Sequence, residues 1–238
     1  MLVLGIDTAS TSASVALLDD GQLLGEVVVN STKTHSQKLM PIIDQLLKNS
    51  DVTVKDLDLI GIANGPGSFT GVRIGVSTAK GLAHPFNIPL VEVSSLEALG
   101  YNMVNADGLV CPIFDARRDL VYTRVMKWEN GLLETIIDDE NCLVSTLVDQ
   151  LKKFNQPVTF LGDGVLKFKD YLREQLGDLA QMAPQNIRMS KGSSTAQAAY
   201  NAPELTYKKY DEIKANYLRK TEAERTYEEK QLKLATKA

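Results

Sequence analysis

The sequence predicts an α/β protein in which one plan of strands and helices is used twice. In the first half of the 238-residue chain, a pair of hairpin strands is followed by helix, strand, helix, strand and helix. After a boundary near Asn105–Gly108 the order begins again with paired strands, a helix, a strand and a helix. No residue-level repeat accompanies this order, so the element pattern alone predicts a duplicated fold with two lobes.

The first half opens with strand signals in LVLGID, SASVALLD and QLLGEVVV, and Asp20-Gly21 between the last two predicts a tight hairpin. Apolar residues at helical spacing predict a helix over Ser36–Lys48, with Ser36 as its N-cap. Leu57–Asn64 has the apolar run of a buried strand, and the following helix, from Val72, is predicted to stop near Pro85. PLVEVS and SLEALGYNM then predict another strand and helix.

The second half repeats these signals over a shorter stretch. LVCPIFDA and LVYTRVMKW predict strands, Asn130-Gly131 predicts a further hairpin, and helix, strand and helix follow. We therefore expect an N-terminal lobe over residues 1–105, a smaller C-terminal lobe over 106–192, and a helix from about 193–215 that rejoins the first lobe. Residues 216–238 are predicted to be a charged, solvated tail, helical at most.

Composition narrows the function classes. Hydrophobic residues make up 44% and charged residues 24%, as in soluble globular proteins, and a net charge of −4 argues against a nucleic-acid-coating surface. The N-terminus has no basic n-region and reaches an acidic residue at Asp7, and no apolar run approaches the roughly 20 residues needed to span a bilayer. Cys111 and Cys142 fit no metal-ligand spacing. We expect a cytoplasmic protein with no membrane partner.

The stretch NGPGSFTGVRIG, Asn64–Gly75, is the most unusual in the chain. Its glycines at Gly65, Gly67 and Gly71 match neither the dinucleotide fingerprint G-x-G-x-x-G nor the lysine-containing phosphate loop. Amides at the start of the following helix can still bind an anion. The alternative is that the glycines serve tight turns and close helix–strand packing, and the spacing favours this second interpretation.

Asp7 begins a second candidate site, since Thr8, Ser10, Ser12 and Ser14 follow it at the predicted strand bend. A carboxylate with hydroxyls can hold a Mg²⁺-bound phosphate, but the same residues also make side-chain-capped turns. The candidate phosphate loop consists of Asp7, Ser10, Gly65, Gly67 and Gly71. It is at most the vestige of a functional phosphate loop. The two histidines, His35 and His84, have no further ligand at helical spacing, and no catalytic triad order is present.

Three stretches resemble the bacterial TsaB (YeaZ) family: LGIDTAS, GPGSFTGVRIG and the late YLRK…AE. The resemblance covers nearly the whole chain and is strongest over residues 1–100. It implies the duplicated actin-like, sugar-kinase-like ATPase fold, in agreement with the repeated element order. It also implies a role in making threonylcarbamoyladenosine at position 37 of tRNAs that read ANN codons.

The resemblance further implies a non-catalytic paralogue of TsaD, the catalytic subunit of that pathway. TsaD has a metal-binding histidine pair where this chain has Ser95 and Leu99, and neither residue suits a transition metal. FDARRD stands without glycines where a second phosphate loop is expected. We therefore expect no catalytic residue, no metal and no cofactor bound by this chain alone, with ATP or ADP and metal held by partner subunits.

Family members pair with TsaD through a bundle of two helices from each protein, which here correspond to Ser36–Lys48 and Val72–Ala83. The resemblance implies an interface formed by Leu39, Met40, Ile43, Leu47, Val72, Arg73, Ile74, Val76 and Ala79. Gly71 and Gly75 are expected to let two helices approach closely. The expected partners are TsaD, TsaE through the TsaB–TsaD pair, tRNA through the complex, and a second copy of the chain when it is alone.

One alternative function remains from the residues themselves. The chain is then a nucleotide-binding ATPase or small-molecule kinase of the same fold, using Asp7 and the Gly65–Gly71 loop. Such a kinase needs phosphate-binding loops from both lobes and an aspartate base, and only the first lobe offers candidates.

Overall fold

The computed structural model describes residues 1–30 and 35–219 and contains two five-stranded mixed sheets. The first sheet has the strand order β3-β2-β1-β4-β5. Strands β1, β2 and β3 pair antiparallel, whereas β4 and β5 run parallel to β1. The elements of this lobe are β1 (Leu2–Asp7), β2 (Ala13–Asp19), β3 (Gln22–Val29), α1 (His35–Asn49), β4 (Leu59–Ala63), α2 (Phe69–Ala83), β5 (Leu90–Val93) and α3 (Ser95–Gly100).

The second sheet has the order β10-β9-β6-β7-β8. Strands β6, β7 and β8 pair antiparallel, and β9 and β10 continue the sheet in parallel from β6. The elements are β6 (Leu109–Asp115), β7 (Leu120–Glu129), β8 (Leu132–Leu143), α4 (Val144–Lys152), β9 (Val158–Leu161), α5 (Val165–Leu176) and β10 (Ala180–Met182). Short 3₁₀ turns occupy Val54–Asp56, His84–Phe86, Tyr101–Met103, Gly177–Leu179 and Glu204–Thr206.

The two sheets have the same construction. Each has an antiparallel meander of three strands whose first strand is central, followed by two parallel strands on its other side. This is the duplicated actin-like, sugar-kinase-like ATPase fold, so the predicted fold class is confirmed. No helix in residues 1–30 and 35–219 is long and apolar enough to cross a membrane.

The first sheet is covered by helices on both faces. Leu4 and Ile6 on one face of β1 join the core formed with α1 and α2, while Val3 on the other face joins the core formed with α6 (Gly192–Tyr200). Helix α6 approaches β1 so closely that a Cβ atom on Gly5 would collide with backbone atoms of the helix. The helix that follows the second lobe is thereby built into the core of the first.

Two boundaries at the C-terminal end differ from prediction. The helix predicted over about 193–215 ends at Tyr200, and Pro203, which cannot donate a helical hydrogen bond, follows within three residues. Residues 207–219, here called the C-terminal segment, run back along the first lobe, where Lys208 forms an antiparallel bridge with Leu90. The tail predicted to begin at residue 216 therefore starts with residues that contact the protein, namely Asn216, Tyr217 and Arg219. Residues 220–238 lie outside the described part.

Candidate functional site

The glycine loop is fixed from two sides. The Gly65 amide donates to the Ser95 hydroxyl (3.1 Å), and the Gly65 carbonyl accepts from the Ser95 amide (2.9 Å). The Asn64 carbonyl accepts from the amide of Asn216 (2.7 Å) in the C-terminal segment. Gly65 has a φ of +113°, which residues with an L side chain rarely adopt. A cis peptide bond joins it to Pro66. These hydrogen bonds connect the loop, which follows β4, to α3 and to the C-terminal segment.

The start of α2 packs against the turn between β1 and β2. The Ser68 hydroxyl caps the helix by accepting from the Gly71 amide (3.3 Å), and the Ser68 amide donates to the Ala9 carbonyl (2.7 Å). The Thr8 hydroxyl donates to the Gly71 carbonyl (2.7 Å). A Cβ atom on Gly71 would collide with the Thr8 carbonyl oxygen, and one on Gly75 with the Thr8 hydroxyl. The expectation that Gly71 and Gly75 let two helices approach closely is therefore wrong, since both face Thr8 in the turn between β1 and β2.

Asp7 is fully buried at the end of β1. Its Oδ1 accepts from the Ala9 amide (2.9 Å), while Oδ2 has no hydrogen-bond partner among the described residues. Burial raises the pKa of Asp7 to about 7, and the hydrogen bond from the Ala9 amide acts in the opposite direction. An acidic side chain in this state is half protonated near neutral pH.

A cleft of about 650 Å³ lies between the two lobes. The first lobe contributes Ala9, Ser10, Thr11, His35 and Pro66–Thr70; the second contributes Phe114–Arg117, Tyr122 and Asp163; the C-terminal segment contributes Asn216–Arg219. The His35 ring is held there by a hydrogen bond from Nε2 to the Ser10 carbonyl (3.1 Å).

Only some residues of the predicted phosphate loop line the cleft. Ser10 and Gly67 are among the lining residues, whereas Asp7, Gly65 and Gly71 are not. Asp7 accordingly does not reach the position that a kinase base or a ligand of a Mg²⁺-bound phosphate would need in this cleft.

The turn between β6 and β7 carries an unusual backbone. Arg117, Arg118 and Asp119 are consecutive non-glycine residues in the left-handed region, with φ values of +63°, +51° and +59°. Lys167 fixes the turn from α5, 3.1 Å from Asp115 and 3.8 Å from Asp119. Backbone strain of this kind persists where surrounding contacts enforce it, and it occurs often at ligand sites.

A second concave surface, the α1–α2 groove, has a volume of about 460 Å³. It is lined by Ser36, Leu39, Met40, Phe69, Thr70, Arg73, Ile74, Ser77 and Thr78. Of the nine predicted interface residues, six are buried in the core of the first lobe: Leu39, Ile43, Leu47, Val72, Val76 and Ala79. Met40 is 47% exposed, Arg73 is exposed and Ile74 is half-buried.

Arg73 is held in place beside this groove. Its guanidinium lies 3.9 Å from the centroid of the Phe69 ring, and Nε donates to the Tyr217 hydroxyl (2.8 Å). The Phe69 and Tyr217 rings are 4.7 Å apart. Sequence reasoning assigned Tyr217 and Arg219 to a solvated tail, although YLRK was one of the stretches on which the family resemblance rested.

A partly buried ionic cluster joins the lobes next to α3. Arg124 on β7 lies 3.0 Å from Glu97 and 3.0 Å from Asp139, and the Ser94 hydroxyl, which caps α3, donates to Asp139 (2.7 Å). Burial raises the pKa of Asp139, while Arg124 and Ser94 oppose this shift. The cluster fixes the second lobe against the N-terminal end of α3.

The two positions that the family resemblance relates to the histidine pair of TsaD, Ser95 and Leu99, make other contacts here. Ser95 is buried and accepts from the loop amide of Gly65, and Leu99 belongs to an apolar cluster with Val110 and Leu161. Within residues 1–30 and 35–219, no group of three His, Cys, Asp or Glu side chains is placed to hold a metal ion.

Comparison with known proteins gives consistent matches. The family model of TsaD, tRNA N6-adenosine threonylcarbamoyltransferase, matches residues 22–228. The TsaB protein of tRNA threonylcarbamoyladenosine biosynthesis from Bacillus subtilis is 38% identical over 234 residues, covering 97% of this chain and 100% of the relative. The Haemophilus influenzae TsaB is 35% identical over 168 residues, 65% of this chain and 70% of the relative. YeaZ from Pseudomonas aeruginosa has the same fold, with a TM-score of 0.73 and 22% identity over 91% of this chain and 99% of that structure.

Proposed function

This chain belongs to the TsaB (YeaZ) family, which acts in tRNA threonylcarbamoyladenosine biosynthesis, and we propose that it is the non-catalytic subunit that pairs with TsaD through the α1–α2 groove. The complex transfers a threonylcarbamoyl group to adenosine 37 of tRNAs that read ANN codons. TsaE joins through the TsaB–TsaD pair, and tRNA binds the assembled complex. The isolated chain forms a homodimer through the same surface.

The observation that carries the proposal is an apolar contact surface beside a fixed cation. Met40 from α1 and Ile74 from α2 line one groove, and both retain exposure although the rest of each apolar stripe is buried. Arg73 lies in the same groove with its guanidinium held by Phe69 and Tyr217. Methionine, aromatic residues and arginine are enriched at the core of protein interfaces, and arginine and tyrosine are frequent among the residues that contribute most to binding.

A partner helix suits this groove. Two adjacent helices leave a channel between their exposed side chains, and a helix from another protein can place its own apolar residues in it. Because most of the predicted interface residues are already buried, the partner contact is narrower than the apolar stripes suggest. It centres on Met40, Arg73 and Ile74.

The test uses the full chain with TsaD from the same organism. Light scattering after size-exclusion chromatography is expected to show a one-to-one complex. Met40→Glu and Ile74→Glu each place a carboxylate in the interface and are expected to weaken the complex at least 10-fold, about 1.4 kcal/mol or more. Leu166→Glu on α5, where the native side chain is 65% exposed and outside the groove, is the matched control.

The outcomes separate clearly. A complex lost in the two groove variants and kept in the Leu166 variant supports the proposal. A wild-type mixture that stays as separate proteins, or a complex that both groove variants retain at wild-type affinity, contradicts it.

A further inference from the structure

The two helices that form the α1–α2 groove are basic, although the chain as a whole is acidic. The chain has 30 acidic and 26 basic residues, which gives a net charge of −4. Helices α1 and α2 reverse this balance, with one acidic side chain, Asp44, against four basic ones: Lys38, Lys48, Arg73 and Lys80. Asp44 is already paired with Lys48, 2.7 Å away. The surface that these helices form therefore favours a negatively charged partner.

Arg73 places one of these charges inside the groove. Among the described residues that line the groove, Arg73 alone is charged, and the others are apolar or carry hydroxyl groups. The ion pairs formed within residues 1–30 and 35–219 do not include it. Once a partner covers the groove, this charge is screened less than a charge at an open surface. A partner that offers no carboxylate would therefore leave the cation without compensation.

The guanidinium of Arg73 is oriented before a partner arrives. Its Nε donates to the Tyr217 hydroxyl (2.8 Å), and the group lies over the Phe69 ring, 3.9 Å from its centroid. Arginine has five N–H donors, and this bond uses only the one on Nε. The donors on the two terminal nitrogens suit the paired hydrogen bonds that a carboxylate accepts. Because the group is already fixed, it loses little side-chain entropy when a partner binds.

A second copy of the chain does not supply that carboxylate from the corresponding surface. A two-fold interface brings the same residues of both copies together. Arg73 and Ile74 lie midway along the run of α2 that lines the groove, from Phe69 to Thr78, so an axis through the groove places two Arg73 side chains close together. That run is roughly 14 Å long, and charges at its centre lie within the screening length of about 10 Å at 0.1 M salt. Repulsion between the two cations therefore opposes self-pairing.

We propose that Arg73 selects the occupant of the α1–α2 groove: it favours a partner helix whose apolar face carries a carboxylate, and it disfavours a second copy of the chain. This inference rests on the proposed function, in which the partner is TsaD. The self-association of the isolated chain is accordingly weak and is strengthened by salt, whereas the complex with TsaD is tighter and is weakened by salt.

Arg73→Gln tests the proposal in the full chain, because it removes the charge and adds no apolar surface. Sedimentation velocity measures self-association and isothermal titration calorimetry measures binding to TsaD, each at about 50 mM and about 500 mM salt. At the lower salt concentration, the variant is expected to bind TsaD about 10-fold more weakly and to self-associate about 10-fold more tightly. Both equilibria are expected to depend less on salt than in the wild type. Arg173→Gln, which replaces an exposed arginine on α5 outside the groove, is the matched control and is expected to behave as wild type.

Arg73→Lys separates the charge from the shape of the guanidinium. Lysine keeps the positive charge but cannot form the paired hydrogen bonds of arginine. Self-association is therefore expected to stay within about 2-fold of wild type, while binding to TsaD weakens about 3-fold. Self-association that tightens as much as in Arg73→Gln would show that charge does not oppose it, and would overturn the proposal.

Opposite effects of Arg73→Gln on the two equilibria support the proposal. Unchanged affinity in either equilibrium, or a change of both in the same direction, overturns it. A wild-type chain that self-associates more tightly than it binds TsaD at about 50 mM salt also overturns it, because the second copy is then the preferred occupant. The proposed function survives these results as long as wild type binds TsaD and Met40→Glu weakens that complex. Absence of any complex between wild type and TsaD removes the proposed function and this inference together.

Discussion

The buried carboxyl of Asp7 predicts a specific dependence of stability on pH. Its pKa in the folded protein is about 7, compared with 3.8 when the group is unperturbed. Between these two values the folded state holds the proton that the unfolded state has released. The free energy of unfolding therefore falls as pH rises through this window. A difference of roughly three pKa units at 1.36 kcal/mol per unit corresponds to about 4 kcal/mol.

The substitution Asp7→Asn removes this titration and keeps the shape of the side chain. The amide oxygen can still accept from the Ala9 amide, and the new NH₂ group occupies the place of Oδ2, which has no partner among the described residues. We expect the difference in unfolding free energy, variant minus wild type, to increase by about 4 kcal/mol from about pH 4 to about pH 8. At the alkaline end of this range, the substitution is expected to stabilise the folded protein relative to the wild type.

Urea denaturation followed by far-ultraviolet circular dichroism, repeated across this pH range, measures the difference directly. Asp44→Asn is the control, because Asp44 is an exposed residue that pairs with Lys48 on the surface of α1. Its difference from wild type is expected to stay within about 0.5 kcal/mol at every pH. If the Asp7→Asn difference is equally flat, the Asp7 carboxyl is not held protonated, and the reasoning from its burial is refuted.

Two further predictions concern packing within and between the lobes. Gly75→Ala is expected to destabilise by about 1–3 kcal/mol, because the new Cβ collides with the Thr8 hydroxyl, whereas Gly81→Ala, with open space at its Cβ, is expected to stabilise α2 by about 0.5–1 kcal/mol. Urea midpoints that rank the two variants in the opposite order contradict this packing. Arg124→Met leaves Asp139, only 12% exposed, without its cation and is expected to cost about 2 kcal/mol at pH 7. The loss should shrink on acidification as Asp139 is protonated, so an equal loss at about pH 4 contradicts the ionic explanation.

The architecture could be predicted because its signals are local. Asp20-Gly21 and Asn130-Gly131 both adopt left-handed backbone conformations, with φ values of +45° and +78° in the first pair and +52° and +77° in the second. These are the turns that two-residue hairpins require, and each one fixes an antiparallel strand pair. Buried strands followed by amphipathic helices then leave few ways to arrange each lobe.

Elements held by distant contacts could not be predicted in the same way. Strand β10 has three residues, too few to show an alternating pattern, and it exists because it pairs with β9. The C-terminal segment has no regular periodicity, and its position depends on bonds to Asn64, Arg73 and Ala116, all more than 100 residues earlier in the chain. The charged residues of this segment indicated solvent exposure, yet its Tyr217 and Arg219 side chains form hydrogen bonds with Arg73 and Ala116.

The dependence on distant contacts also explains why the apolar stripes of α1 and α2 predicted too large an interface. A stripe at helical spacing identifies the side of a helix that is removed from water, and here the sheet already covers most of that side. A docking surface is indicated by what remains after the core is filled: the exposed Met40, the half-buried Ile74 and a cation fixed by two rings. The ring of Tyr217 comes from 144 residues away, so the preorganisation of Arg73 is a property of the folded chain. Phe69 and Thr70 line both the groove and the cleft, and Arg73 is bonded to a Tyr217 that lines the cleft, so a partner seated in the groove would contact one wall of the interlobe cleft.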